Sequence, residues 1–120
     1  MFKVTVMKIL TTTFLIAAIL ISFSFQIIKT SLNVTVRDEL GNTVEGATVM
    51  LFEKEEDYTN ETNIAAQGVT DKKGYVKIKE LKSMPYYVIV RKDDKDNSGG
   101  GEKTEKLEAK KMNKVTIIIQ

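Results

Sequence analysis

The chain has 120 residues, 42% of them hydrophobic and 28% charged, with 18 Lys and Arg against 16 Asp and Glu and no His, Cys or Trp. The missing types exclude Ser–His–Asp and Cys–His catalysis, zinc sites built from His and Cys, a disulfide framework and a lipid-modified cysteine anchor. The net charge of +2 comes from Lys3 and Lys8, so the rest of the chain is neutral, and its lysines alternate with carboxylates in a pattern that argues against nucleic-acid binding.

Residues 1–8 carry those two lysines and no acid, and residues 9–25 are an apolar run diluted by Thr11, Thr12 and Thr13. The fully apolar heart, residues 14–21, is shorter than the roughly 20 residues a spanning helix needs. With Ser22 and Ser24 following, residues 1–24 read as an export signal and residues 25–31 as a linker. An uncleaved anchor is the alternative, because extending the run to Ile28 gives about bilayer length; the membrane would then be reached through residues 9–28 alone. The remaining residues, 32–120, suffice for one domain with a modest two-layer core.

Two alternating stretches open that domain. Leu32, Val34 and Val36 share one face of a strand, and Ala47, Val49 and Leu51 repeat the period of two. Residues 38–46 between them hold Asp, Asn and two Gly, types suited to tight turns. Residues 53–63, EKEEDYTNETN, predict an exposed acidic loop. Asn33-Val-Thr35 and Asn60-Glu-Thr62 match the glycosylation acceptor pattern, a match of three residues only.

Residues 64–71 and 74–81 predict a hairpin around Asp71-Lys-Lys-Gly74, with Val76 and Ile78 inward and Leu81 closing the edge. Residues 86–90 predict a central strand dense in aromatic and β-branched side chains. Tyr86, Val88 and Val90 face one way, while Tyr87 and Ile89 on the other side are either covered by the 53–63 loop, which we favour, or form an exposed contact patch. Residues 92–103 predict a mobile glycine-rich loop, residues 104–109 a strand with Leu107 and Ala109 inward, although their Glu and Lys content equally suits a short helix, and residues 115–119 a closing edge strand. About seven short strands with turn signals between them predict an all-β, two-sheet sandwich behind an N-terminal hydrophobic signal or anchor helix.

The order of these pieces resembles the carboxypeptidase regulatory-like domain, a small transthyretin-like or prealbumin-like β-sandwich. The resemblance covers about residues 32–91 and is carried by VRDELGNTVEGATV at residues 36–49, VTDKKGYVKI at 69–78 and YYVIV at 86–90. Ser83-Met84-Pro85 departs from it, because the family usually has a Gly just before the Tyr strand. The resemblance implies a non-catalytic accessory domain, found beside peptidases, on bacterial surfaces or in envelope transport proteins. Two related groups do not fit. Transthyretin-like hydrolases rely on histidines and a Tyr-Arg-Gly-Ser ending, whereas this chain ends in Ile117-Ile-Ile-Gln120. Adhesin domains with a self-made isopeptide need a Lys in the first strand and an Asn in the last, and residues 32–37 and 115–119 supply neither.

One stretch has metal-ligand spacing. Asp94, Asp96, Ser98 and Glu105, with Gly99 in the sixth place, follow the first, third, fifth and twelfth positions of a calcium loop, where hard oxygens surround one ion. A strand rather than a helix enters it, and Gly101 replaces the apolar eighth residue. The other reading is a solvated hairpin loop. Paired carboxylates for acid–base chemistry would need a desolvated cleft, and no pair lies in an apolar surround. The sequence therefore points to a non-catalytic, monomeric, exported β-sandwich without a cofactor, contacting a protein or glycan in the bacterial envelope or at the cell surface. A calcium-dependent binding module is the alternative, and an enzyme the remote one.

Overall fold

The computed structural model describes residues 28–120, so the expected leader helix and residues 25–27 of the expected linker lie outside the described residues. Seven strands form two sheets: β1 (Ser31–Arg37), β2 (Thr48–Phe52), β3 (Ala66–Val69), β4 (Tyr75–Ile78), β5 (Tyr87–Lys92), β6 (Lys95–Asp96) and β7 (Met112–Ile118). The first sheet has the order β4-β1-β7 and the second β3-β2-β5-β6. β7 runs parallel to β1, while the other pairs are antiparallel.

The period of two decides which side chains meet between the sheets. Leu32, Val34 and Val36 from one sheet face Ala47, Val49, Leu51, Val88 and Val90 from the other, all buried. Tyr86, Leu107, Ile117 and Ile119 fill the ends of this core. Tyr86 is 2% exposed, and its buried hydroxyl accepts the Lys82 N–H at 2.9 Å.

The turn between β1 and β2 forms as its composition predicts. The Asp38 carboxylate accepts the Leu40 and Asn42 N–H groups at 3.0 and 2.9 Å, and Gly41 takes φ +86. Those backbone donors, the Asn42 N–H first, hold the Asp38 carboxyl below its usual range. Where β2 begins, buried Thr70 accepts the Ala47 N–H and donates to the Val44 carbonyl at 2.6 Å, locking the entry of the strand.

Several local expectations are corrected. Residues 53–63 contain a helix, α1 (Glu55–Asn60), with acids in its first turn suited to the helix dipole and Glu61 in the left-handed conformation at its end. The turn at residues 71–74 forms, with the Gly74 N–H donating to the Asp71 carbonyl, but its flanking strands separate: β3 pairs with β2 and β4 with β1. The reason is that the inward side chains on both sides of the turn serve one core from opposite sheets. Residues 104–109 form no strand, and Ala109 lies in a turn; Leu107 is 4% exposed, as expected, whereas Ala109 faces solvent. β7 begins at Met112 and so includes Asn113, whose side chain bonds the Ser31 and Glu108 backbone. β1 still lacks a lysine. Residues 92–103 carry more order than a glycine-rich composition suggests, for a reason found in Asn97.

Candidate functional site

The outer face of the four-stranded sheet is covered in part, over β2 and β5, while Val69 on β3 stays 59% exposed. α1 lies across β2 and β5, and the Tyr58 ring meets Phe52 edge-on at 6.2 Å between centroids and Tyr87 at 5.6 Å. Phe52 is fully buried and Ile89 is 8% exposed. Tyr87 is half-buried, with the Lys103 ammonium 4.9 Å from its ring centre. Tyr87 therefore lies against the 53–63 segment through Tyr58, and Ile89 is buried. Burial pushes the Tyr58 phenol up, and the nearby Glu102 carboxylate adds to that. An ion pair between Glu61 and Arg91 ties the end of α1 to β5.

The stretch with calcium spacing runs from the β5–β6 hairpin tip into the loop that follows β6. Asp93 and Asp94 form the tip of the β5–β6 hairpin, in which Lys92 pairs with Lys95. The Asp96 carboxylate accepts the Ser98 N–H at 2.9 Å, which holds it below its usual range. Glu105 lies farther on, beyond Thr104, whose N–H donates to the Tyr86 carbonyl. Among the described residues no group of three acidic side chains is close enough to hold one ion. The residue between the would-be ligands explains the layout. Asn97, 4% exposed, turns inward, accepts the Val90 N–H and donates to the Val88 and Gly101 carbonyls. It ties the loop to β5. We expect millimolar calcium to shift the melting temperature by no more than about a degree or two, against roughly 10–20 °C for a site saturated at a hundredfold excess. A large shift abolished by Glu105→Gln would contradict this.

Among the described residues, no helix lies on the outer face of the three-stranded sheet. β1 presents Asn33, Thr35 and Arg37 outward, β4 presents Tyr75 and Lys77, and β7 presents Met112, Lys114, Thr116 and Ile118. Register aligns them into rows: Lys77, Asn33 and Lys114 in one, Tyr75, Thr35 and Thr116 in the next, then Arg37 with Ile118. The flanking lysines are about 10 Å apart at Cα, two strand spacings. Beyond the lysine row a shallow groove of about 440 Å³ opens between Ser31, Lys79 and Met112. Sequence reasoning missed this face. Its signal was available only by reading the alternate positions of three separated strands together.

No protein-family model and no curated protein matches the chain. Solved structures do match in fold. A chain of a type II cohesin–X-dockerin complex from Acetivibrio cellulolyticus, crystallised as an N-terminal interface mutant, aligns with a TM-score of 0.51 at 16% identity, over 75% of this chain and 56% of that one. BcpA, the major pilin subunit of Bacillus cereus, aligns with a TM-score of 0.54 at 17% identity, over 78% of this chain and 30% of that one. The chain has a β-sandwich fold. It spans 56% of the first of these neighbours and 30% of the pilin, so the likeness concerns only part of each.

Proposed function

We infer that this chain is a non-catalytic, exported accessory module that binds a protein or glycan partner at the bacterial envelope through the open face of its three-stranded sheet. The contrast between the two outer faces carries this reading: α1 covers part of one, over β2 and β5, and among the described residues no helix lies on the other, which displays Arg37, Lys77 and Lys114. Supporting it, the amino-acid inventory lacks His and Cys, and the neighbours in fold are a chain of a cohesin–dockerin complex and a pilin subunit. The resemblance to carboxypeptidase regulatory-like domains points the same way, and the lysine-bearing apolar N-terminus supports export.

The test is sedimentation of the full chain with washed envelope fragments. Lys77→Glu with Lys114→Glu is expected to abolish cosedimentation, whereas Glu55→Lys with Glu56→Lys on the opposite side leaves it intact. Equal loss in both variants, or no cosedimentation of the parent chain, would overturn the reading.

A further inference from the structure

The ladder between β1 and β7 uses alternate residues of β7. Ser31 donates to the Lys111 carbonyl at 3.0 Å and Ile119 donates to the Arg37 carbonyl at 2.9 Å, within one parallel register. The odd-numbered residues of β7 therefore bond β1, and Met112, Lys114 and Thr116 turn their N–H and C=O groups to the opposite side. Among the described residues none of those groups has a hydrogen-bond partner. Beyond Thr116 the edge is closed. Gln120 and Asp96 exchange backbone hydrogen bonds at 3.0 and 3.2 Å, and a Cβ on Gly100 would come within 2.6 Å of the Ile118 carbonyl oxygen.

The other sheet edges are guarded or shorter. On β4 the Asp71 N–H donates to the Tyr75 carbonyl and the Asp71 carboxylate accepts the Tyr75 N–H, which leaves Lys77. β6 has two residues, and Asp96 is the one bonded to Gln120. β3 turns only Gln67 and Val69 outward, since Ala66 and Gly68 bond β2.

We propose that the β7 edge binds an extended acidic segment of a partner protein, which adds to the three-stranded sheet as a fourth strand antiparallel to β7. Backbone donors and acceptors that repeat every second residue, about 6.6–6.8 Å apart, are matched by another polypeptide backbone and not by a glycan. Charge selects the segment. Lys114 stands exposed in the middle of the window and takes part in none of the ion pairs among the described residues. Its row continues into Asn33 and Lys77, so an Asp or Glu opposite Lys114 meets cations and no acid. Met112, 49% exposed, favours an apolar neighbour at the next cross-strand position. A second copy of this chain fits badly. A twofold axis that overlaps the whole window sets Lys114 against Lys114 of the other copy, a destabilising like-charge pair. Shifting the register carries Met112 of one copy onto Ile118 of the other, where the edge is closed, or shortens the overlap. The proposal rests on the reading of the domain as an envelope-binding module and narrows its partner to an extended protein segment.

The test is binding of the full chain to a synthetic peptide, Ser-Val-Thr-Val-Glu-Val-Ile-Thr-Ser, and to its twin with Lys in place of Glu. The antiparallel register sets Thr, Glu and Ile of the peptide opposite Thr116, Lys114 and Met112. Hydrogen exchange of the Met112, Lys114 and Thr116 amides is expected to slow about tenfold at about a tenfold excess of the Glu peptide over its dissociation constant. The Glu peptide should bind about threefold to tenfold more tightly than its twin, and Lys114→Glu should reverse that order. Thr116→Pro should abolish binding, because it removes an outward donor and spares the ladder to β1, whereas Gln67→Pro on β3 should leave binding intact. Equal binding of the twins, or a preference that Lys114→Glu does not reverse, would overturn the proposal. Protection at the β3 amides in place of β7 would overturn it too, and a doubled mass in light scattering without peptide would assign the edge to a second copy instead. If the peptide fails to bind while envelope fragments still cosediment, this inference falls and the binding module stands; if both fail, both fall.

Discussion

Replacing Asn97 by alanine is expected to lower stability by about 3–4 kcal/mol, a large share of what a domain of this size possesses. One side chain answers three backbone groups, the Val90 N–H at 3.0 Å and the Val88 and Gly101 carbonyls at 2.9 and 2.8 Å, in a site that is 4% exposed. Each group left without a partner costs about 1–3 kcal/mol when water cannot reach it. Asn97→Asp sharpens the test. Its carboxylate still accepts the Val90 N–H but sets negative charge against two carbonyl oxygens. The folded state therefore raises the pKa of the introduced Asp above its unfolded value. The destabilisation is full above that raised value and is relieved as pH falls through it, since the protonated acid can donate. Urea midpoints at neutral and mildly acidic pH check both variants. An alanine variant within about 1 kcal/mol of the parent would contradict the anchoring role.

Val49→Asp is expected to destabilise by several kcal/mol, enough to unfold most of the population, whereas Thr48→Asp changes stability by less than about 1 kcal/mol. The two residues are neighbours on β2, yet Val49 is 0% exposed and packs between the sheets while Thr48 faces outward, half-buried. An unpaired carboxylate at Val49 has no cation or donor within the apolar core to compensate it. Similar urea midpoints for the two variants would mean that the register of β2 is reversed.

Much of the sandwich was legible because a half-buried strand writes its orientation into alternate residues. Leu32, Val34, Val36, Ala47, Val49 and Leu51 all lie in the core their spacing predicts. Pairing was less legible. The turn at Asp71 to Gly74 has hairpin chemistry, but whether its flanking strands stay together is settled by which sheet needs each strand, and no local signal states that. α1 was hidden by its composition, because six residues with three acids show no apolar stripe; Tyr58 is the one large side chain it commits to the sheet. The calcium spacing was visible and the intervening Asn97 was too, but only the fold shows Asn97 turned inward. The cationic face was the least legible of all, since Arg37, Lys77 and Lys114 are separated by dozens of residues and meet only through β1–β4 and β1–β7 pairing.

Lysine labelling with and without envelope fragments tests the central claim most directly. The chain distributes lysines over both outer faces, so each face reports on itself in one experiment. Bound to its partner, the domain is expected to lose reactivity at Lys77 and Lys114, on the open sheet, while Lys54 and Lys103, beside α1 and over Tyr87, react as in the free protein. Protection of Lys54 and Lys103 with Lys77 and Lys114 unchanged would place the partner on the covered sheet and contradict the account.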